Sequence, residues 1–160
     1  MHDTGYVGDP AHVCVYAGVP EALARLKARG FLTVIVTNQS GIARGHFADA
    51  DFHAVQARFT ELVGPGLIDA MYYCADHPDT ATERRKPGPG MLLDAARDHG
   101  IVLAQSWMIG DRGGDVEAGR RAGVRSILVR TGEGKYADGA GAEFVAADFA
   151  EAVEFILSHE

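Results

Sequence analysis

The sequence predicts an α/β domain built on a parallel sheet, and three observations carry that prediction. Leu32–Val36 is a short, unbroken apolar run rich in β-branched residues, the composition of a strand buried on both faces. Stretches with apolar residues at helical spacing alternate with such runs along the chain. Polar, glycine-bearing turns follow the runs, as at Thr37–Gly41 and at Gly110-Asp111. In open α/β sheets that end of the strands is where ligands bind.

Met1–Ala17 contains Gly5, Gly8 and Pro10 and reads as a loop with at most a short extended piece at Val13–Tyr16. Pro20 sits at a helix start, and Val19, Leu23 and Leu26 recur at helical spacing up to Gly30, a fitting residue just past a helix end. After the Leu32–Val36 strand, Asn38-Gln39-Ser40-Gly41 forms a polar turn. A helix over Ala50–Val63 follows, capped by Asp49 or Asp51, with Phe52, Val55, Phe59 and Leu62 on one face. Gly64-Pro65-Gly66 ends it, Ile68–Tyr73 is a second strand, and Cys74–Gly88 is a polar loop. Pro89–His99 is a helix closed by Gly100, with Met91 and Leu92 in the core. Trp107–Ile109 is a third strand whose tryptophan faces the core; Asp115–Ala122 is a short helix with Gly123 after it; Ser126–Val129 is a fourth strand. The glycine-rich loop Thr131–Gly141 leads to a short Phe144-Val145 strand and a last helix, Phe149–Ser158. Strands alternating with helices give right-handed crossovers, hence a Rossmann-like doubly wound parallel sheet, in one domain over residues 1–160.

A net charge of -7 argues against nucleic acid or an anionic membrane as partner, so an anionic ligand must be held by a local cluster of positive groups. No apolar run approaches transmembrane length, and MHDTGYVGDP has none of the marks of a signal peptide. Two cysteines, Cys14 and Cys74, make no disulfide framework, and the cytoplasm is the expected address. Cys14, between two valines, is expected in the core. A monomer or weak dimer is expected.

Three polar groups fall at strand ends or just before helices: Thr37-Asn38, Arg84-Arg85-Lys86-Pro87, and Gly110-Asp111 with Asp115. A hydroxyl, the Asn38 and Gln39 amides and a run of backbone N–H groups make an anion-binding rim. Pro87 disfavours the helical region for Lys86, and a compact ammonium suits phosphate. Asp111 follows a buried strand where the sheet opens, well placed to give Mg²⁺ one carboxylate while phosphate oxygens and waters supply the rest. Three roles are open to Asp115: assisting through water, orienting Lys86, or capping its helix.

In this order the three groups resemble motifs II, III and IV of the haloacid dehalogenase (HAD) superfamily. GYV near the amino terminus, VTNQSGIARG, YYC with HP, RKPGPGM and GDRGGD resemble the branch of histidinol-phosphate and D-glycero-D-manno-heptose 1,7-bisphosphate phosphatases. The resemblance implies a HAD-like core without a cap domain and a Mg²⁺-dependent phosphatase of small phosphorylated sugars. It implies that Thr37 and Asn38 bind the transferring phosphoryl group, Lys86 stabilises its charge, Asp111 ligates Mg²⁺, and Arg44 and Arg85 reach the rest of the substrate. Thr37, Lys86 and Asp115 are the expected catalytic set, with Gln39 beside them in the phosphate rim.

Two departures from the family's pattern stand out. The Asp-x-Asp-Gly-Thr strand end, source of the nucleophilic aspartate, is absent upstream of the segment matching Asp3–Val7. Aspartyl-phosphate chemistry requires that nucleophile, so these 160 residues are expected to be inactive, apparently missing the first core strand from the middle of the sheet. A start placed too late accounts for both absences; a pseudoenzyme that binds phosphate ligands without turnover is the alternative. The other departure concerns zinc: where many members of the heptose branch carry Cys-x-His and Cys-x-Cys, CADHPDTATERRKP keeps only Cys74, with Asp76 at the histidine position. Zinc is therefore not expected. The lost cysteines leave heptose bisphosphate and histidinol phosphate both open, and IARG favours the heptose.

Overall fold

The computed structural model describes residues 7–136, 138–139 and 141–159; Asp3 and the Gly5-Tyr6 pair lie outside them. The chain divides into two units, Met1–Thr80 and Ala81–Glu160. All five strands in the described residues pair in parallel, as helical crossovers demand, but they form two sheets rather than the single one expected. No ladder among the described residues joins the strands of one unit to those of the other.

In the first unit, α1 (Val19–Ala28) carries Pro20 in its first turn and buries Ala22, Leu23 and Leu26. Gly30 follows with φ +82°, the left-handed backbone that favours glycine just past a helix end. Strand β1 (Val34–Asn38) pairs in parallel with β2 (Ala70–Cys74), Val34 opposite Ala70 and Asn38 opposite Cys74. A one-turn helix, α2 (Ser40–Ala43), stands where the sequence suggested a turn, and α3 (Asp49–Val63) buries Phe52, Val55 and Val63. The Phe52 ring packs against Tyr73 at 4.5 Å between centroids.

Several expectations need correcting here. β1 begins two residues later than the apolar run, and Leu32 is exposed. Thr33 is held off the ladder by Asp69, which accepts from the Thr33 N–H at 2.6 Å and its hydroxyl at 3.0 Å while also binding Lys27 Nζ. β1 is half-buried throughout rather than covered on both faces. On α3 it is Val63, not Leu62, that turns inward, and Ala48 is the N-cap, its N–H bound by the Asp51 carboxylate at 2.8 Å. Val13 is buried and Cys14 exposed, because backbone that leaves Val13 extended turns its neighbour to the other side.

In the second unit, β3 (Trp107–Gly110), β4 (Arg125–Val129) and β5 (Phe144–Ala146) form a parallel sheet in that order. Ile127, Leu128 and Ala146 are fully buried beneath α5 (Gly113–Ala122) and α6 (Phe149–Ser158). α5 lies so close to the sheet that a Cβ on Gly119 would stand 2.2 Å from Ser126 Oγ. Helix α4 (Gly90–His99) buries Met91 and Ala95 and ends on Gly100 at φ +65°. Trp107 is only half-buried; the Arg125 guanidinium lies over its ring, 3.7 Å from the centroid, with Phe155 edge-on at 5.8 Å. Among the described residues no helix is long and apolar enough to cross a membrane.

Candidate functional site

The first unit gathers its candidate residues at the carboxyl end of β1. Thr37 and Asn38 are the last residues of the strand, opposite Tyr73 and Cys74. The Gln39 N–H continues the pairing beyond the strand, donating to the Cys74 carbonyl at 2.7 Å. Gln39 Nε2 donates to Thr37 Oγ1 at 3.0 Å. That bond occupies one lone pair of the hydroxyl and leaves its O–H as a donor, which is what a phosphate ligand needs. Arg44 is exposed at the end of α2.

Asp49, one of the two residues the sequence offers as the cap of α3, reaches β2: it accepts from the Tyr73 hydroxyl at 2.8 Å and lies 3.2 Å from His53 Nε2. The hydrogen bond to this carboxylate, with burial and the like-signed charge, raises the Tyr73 hydroxyl above the ordinary tyrosine range.

The second unit brings together Lys86, Asp111 and Asp115. Asp115 is buried in the first turn of α5, and its two oxygens do different work. Oδ2 accepts from the N–H groups of Asp111 and Arg112, both at 3.1 Å, closing the turn between β3 and α5. Oδ1 takes Lys86 Nζ at 2.6 Å, a pair with side chains only 13% and 7% exposed. Of the three roles open from the sequence, Asp115 thus performs capping and orientation together. Gly110 makes this possible, since a Cβ there would lie 2.2 Å from Asp115 Cβ.

Asp111, half-buried at the sheet end, is held from the opposite side by the loop after β4. The Glu133 N–H donates to Asp111 Oδ2 at 2.9 Å. The loop comes this close because residue 132 is glycine: it has φ +59°, and a Cβ would stand 2.3 Å from the same oxygen. Sequence reasoning did not find Glu133, whose contribution is a backbone N–H that any residue but proline supplies. Gly132 was the available signal. Arg85 is half-buried between Arg84 and Lys86, and the Lys86–Pro87 peptide is cis.

Asp111 is a hard oxygen donor of the kind Mg²⁺ prefers. No group of three or more His, Cys, Asp or Glu among the described residues forms a cage for a metal. Mg²⁺ does not need one, since it is held by one or two carboxylates together with phosphate oxygens and water, so the donor set fits that ion.

The HAD-hydrolase-like family model matches residues 83–152. The D-glycero-D-manno-heptose-1,7-bisphosphate 7-phosphatase of Thermosynechococcus vestitus is 35% identical over 176 residues, covering 98% of this chain and 90% of that protein. The D-glycero-beta-D-manno-heptose-1,7-bisphosphate 7-phosphatase of Pseudomonas aeruginosa is 42% identical over 116 residues, 71% of this chain and 65% of that one. The crystal structure of the D,D-heptose 1,7-bisphosphate phosphatase from B. bronchiseptica, complexed with magnesium and phosphate, superposes with a TM-score of 0.91 at 32% identity, covering 100% of this chain and 93% of that one.

Proposed function

Because this chain belongs to the HAD-like hydrolases, within the family of D-glycero-D-manno-heptose-1,7-bisphosphate phosphatases, we propose that its polar strand ends bind the phosphoryl group of a small phosphorylated sugar. The observation that carries the proposal is the pairing of Lys86 with the buried Asp115, whose carboxylate also fixes the backbone of Asp111. A largely enclosed ammonium held beside a hard carboxylate ligand is the pairing that phosphoryl chemistry uses: one neutralises charge, the other carries a cation.

Each residue then has a definable task. Lys86, steadied by Asp115, neutralises the phosphoryl oxygens. In the first unit, the Thr37 hydroxyl, with Gln39 on one lone pair, and the Asn38 amide are donors suited to a phosphate oxygen. Asp111, with one oxygen steadied by Glu133 N–H, is the carboxylate for Mg²⁺, which when bound supplies positive charge against the phosphoryl group. Arg44 and Arg85 reach the remainder of the sugar.

These residues bind and neutralise, and none of them is the attacking carboxylate. The test is to place an Asp-x-Asp-Gly-Thr segment ahead of Met1 and assay a panel of phosphorylated sugars together with histidinol phosphate. Mg²⁺-dependent phosphate release is expected, strongest on heptose bisphosphate, and Asp111→Ala abolishes it. Preference for histidinol phosphate would reassign the substrate. Comparable turnover by the 160-residue chain alone refutes the mechanism.

A further inference from the structure

The segment that carries Lys86 is gripped from two helices, and one of the grips has no part in the chemistry above. Between Thr82 and Gly90 the backbone is wound tightly: Arg85 N–H donates to the Thr82 carbonyl at 3.1 Å, Gly88 N–H to Arg85 at 2.7 Å, and Gly90 N–H to Glu83 at 2.9 Å. A Cβ on Gly88 would stand 2.2 Å from the Glu83 carbonyl oxygen, so the turn closes only with glycine there. On one side Arg84 binds Asp94 of α4. On the other, Arg121 of α5 opens its guanidinium fork across the turn. Its Nη2 donates to Glu83 Oε2 at 2.6 Å and its Nη1 to the Pro87 carbonyl at 3.2 Å. Glu83 and Pro87 bracket Lys86 in the chain, and the Lys86 ammonium is itself tied to Asp115 on the same helix.

We infer that Arg121 is a positioning residue for Lys86: its fork ties the Glu83 carboxylate on one side of the lysine and the Pro87 carbonyl on the other to the helix that also holds the ammonium. The inference rests on the reading of Lys86 as the phosphoryl-neutralising group. Only a planar, two-pronged donor spans a carboxylate and a carbonyl in this way, and a single ammonium at position 121 does not replace it. Glu83 is largely exposed, so its ion pair adds little to stability. The expected mark of Arg121 is therefore placement of Lys86 rather than resistance to melting. Its neighbour Arg120 is the natural control, since its guanidinium binds Glu117 of its own helix.

The experiment uses the full chain, whose lysines number three: Lys27, Lys86 and Lys135. Their acylation rates are measured by mass spectrometry with an amine-reactive ester, and Lys86 is expressed relative to Lys27. Arg121→Ala is expected to raise the Lys86 rate about fivefold, the size that the net loss of one hydrogen bond allows. Arg121→Lys does not restore protection, and Arg120→Ala keeps the wild-type ratio. An unchanged ratio in folded Arg121→Ala overturns the inference. If that variant does not fold, Glu83→Gln weakens the same fork from an exposed position, and an unchanged ratio there overturns it equally. Inorganic phosphate is the separate probe. Protection of Lys86 by phosphate in the unsubstituted chain decides the phosphoryl reading whatever Arg121 does. A higher phosphate concentration for half-protection in Arg121→Ala ties the placement to ligand binding.

Discussion

Asp115→Asn dissects the central constellation, because an amide keeps half of what the carboxylate does. The amide oxygen can still accept from the Asp111 and Arg112 N–H groups, which both use Oδ2. The amide nitrogen then faces Lys86 Nζ, donor against donor, where Oδ1 stood 2.6 Å away. Removing one partner of a buried ion pair costs about 3–5 kcal/mol. Lys86 keeps 13% of its side chain in contact with water, which softens the penalty toward ~2–3 kcal/mol. For a chain of this size that lowers the melting temperature by about 4–12 °C. The assay is a double-mutant cycle by thermal melting, with Lys86→Met as the second substitution. Because Lys86→Met removes the stranded charge, the double variant should recover most of the loss, with a coupling near ~2 kcal/mol. Simple additivity, or a loss for Asp115→Asn within the ±0.5 kcal/mol or so of an ordinary surface change, would falsify the account.

Three further outcomes are expected. Gly132→Ala places a Cβ 2.3 Å from Asp111 Oδ2 at φ +59°; it should cost ~1–3 kcal/mol in urea unfolding and weaken Mg²⁺ binding measured by titration. Gly119→Ala drives a Cβ to 2.2 Å from Ser126 Oγ and 3.1 Å from Met108 Cβ, so a loss of ~1–3 kcal/mol is expected; unchanged stability would show that α5 lifts off the sheet easily. Asp69 offers a pH test. Burial opposes its charge, but the bonds from Lys27 and Thr33 outweigh burial and hold the carboxyl below 3.8. A carboxyl lowered on folding contributes stability that is present above the unfolded value and lost as pH falls through the folded one. The stability gap between the unsubstituted chain and Asp69→Asn should therefore be constant above about pH 5 and shrink below it. A gap unchanged down to about pH 2 contradicts the assignment.

Local pattern made the helices legible. Pro20 and Gly30 bracket α1, and Gly100 closes α4. What the sequence misplaced depends on distant partners. The start of β1 was read two residues early because the residue that diverts Thr33 is Asp69, 36 positions along the chain. The same holds at the candidate site. Lys86, Asp111 and Asp115 were legible because strand ends and helix starts concentrate polar groups there, and the structure brings all three together. Which role Asp115 takes was not legible, since its two oxygens serve two partners at once and only coordinates separate them. Glu133 acts through its backbone and is signalled only by the glycine before it, while Arg121 acts through a fork to residues far away in sequence and leaves no local pattern.

The division of the strands has a consequence for synthesis. Every strand pairing among the described residues lies within Met1–Thr80 or within Ala81–Glu160, so the leading half can zip its own ladder while the trailing half is still being translated. At about 5–20 residues per second, the ribosome needs about 4–16 s to add residues 81–160, whereas helices and strand contacts form within microseconds. A two-stranded sheet is marginal in water by itself. The nascent polypeptide thus carries a weak, partly uncovered ladder for seconds, an interval in which chaperones or self-association compete for it.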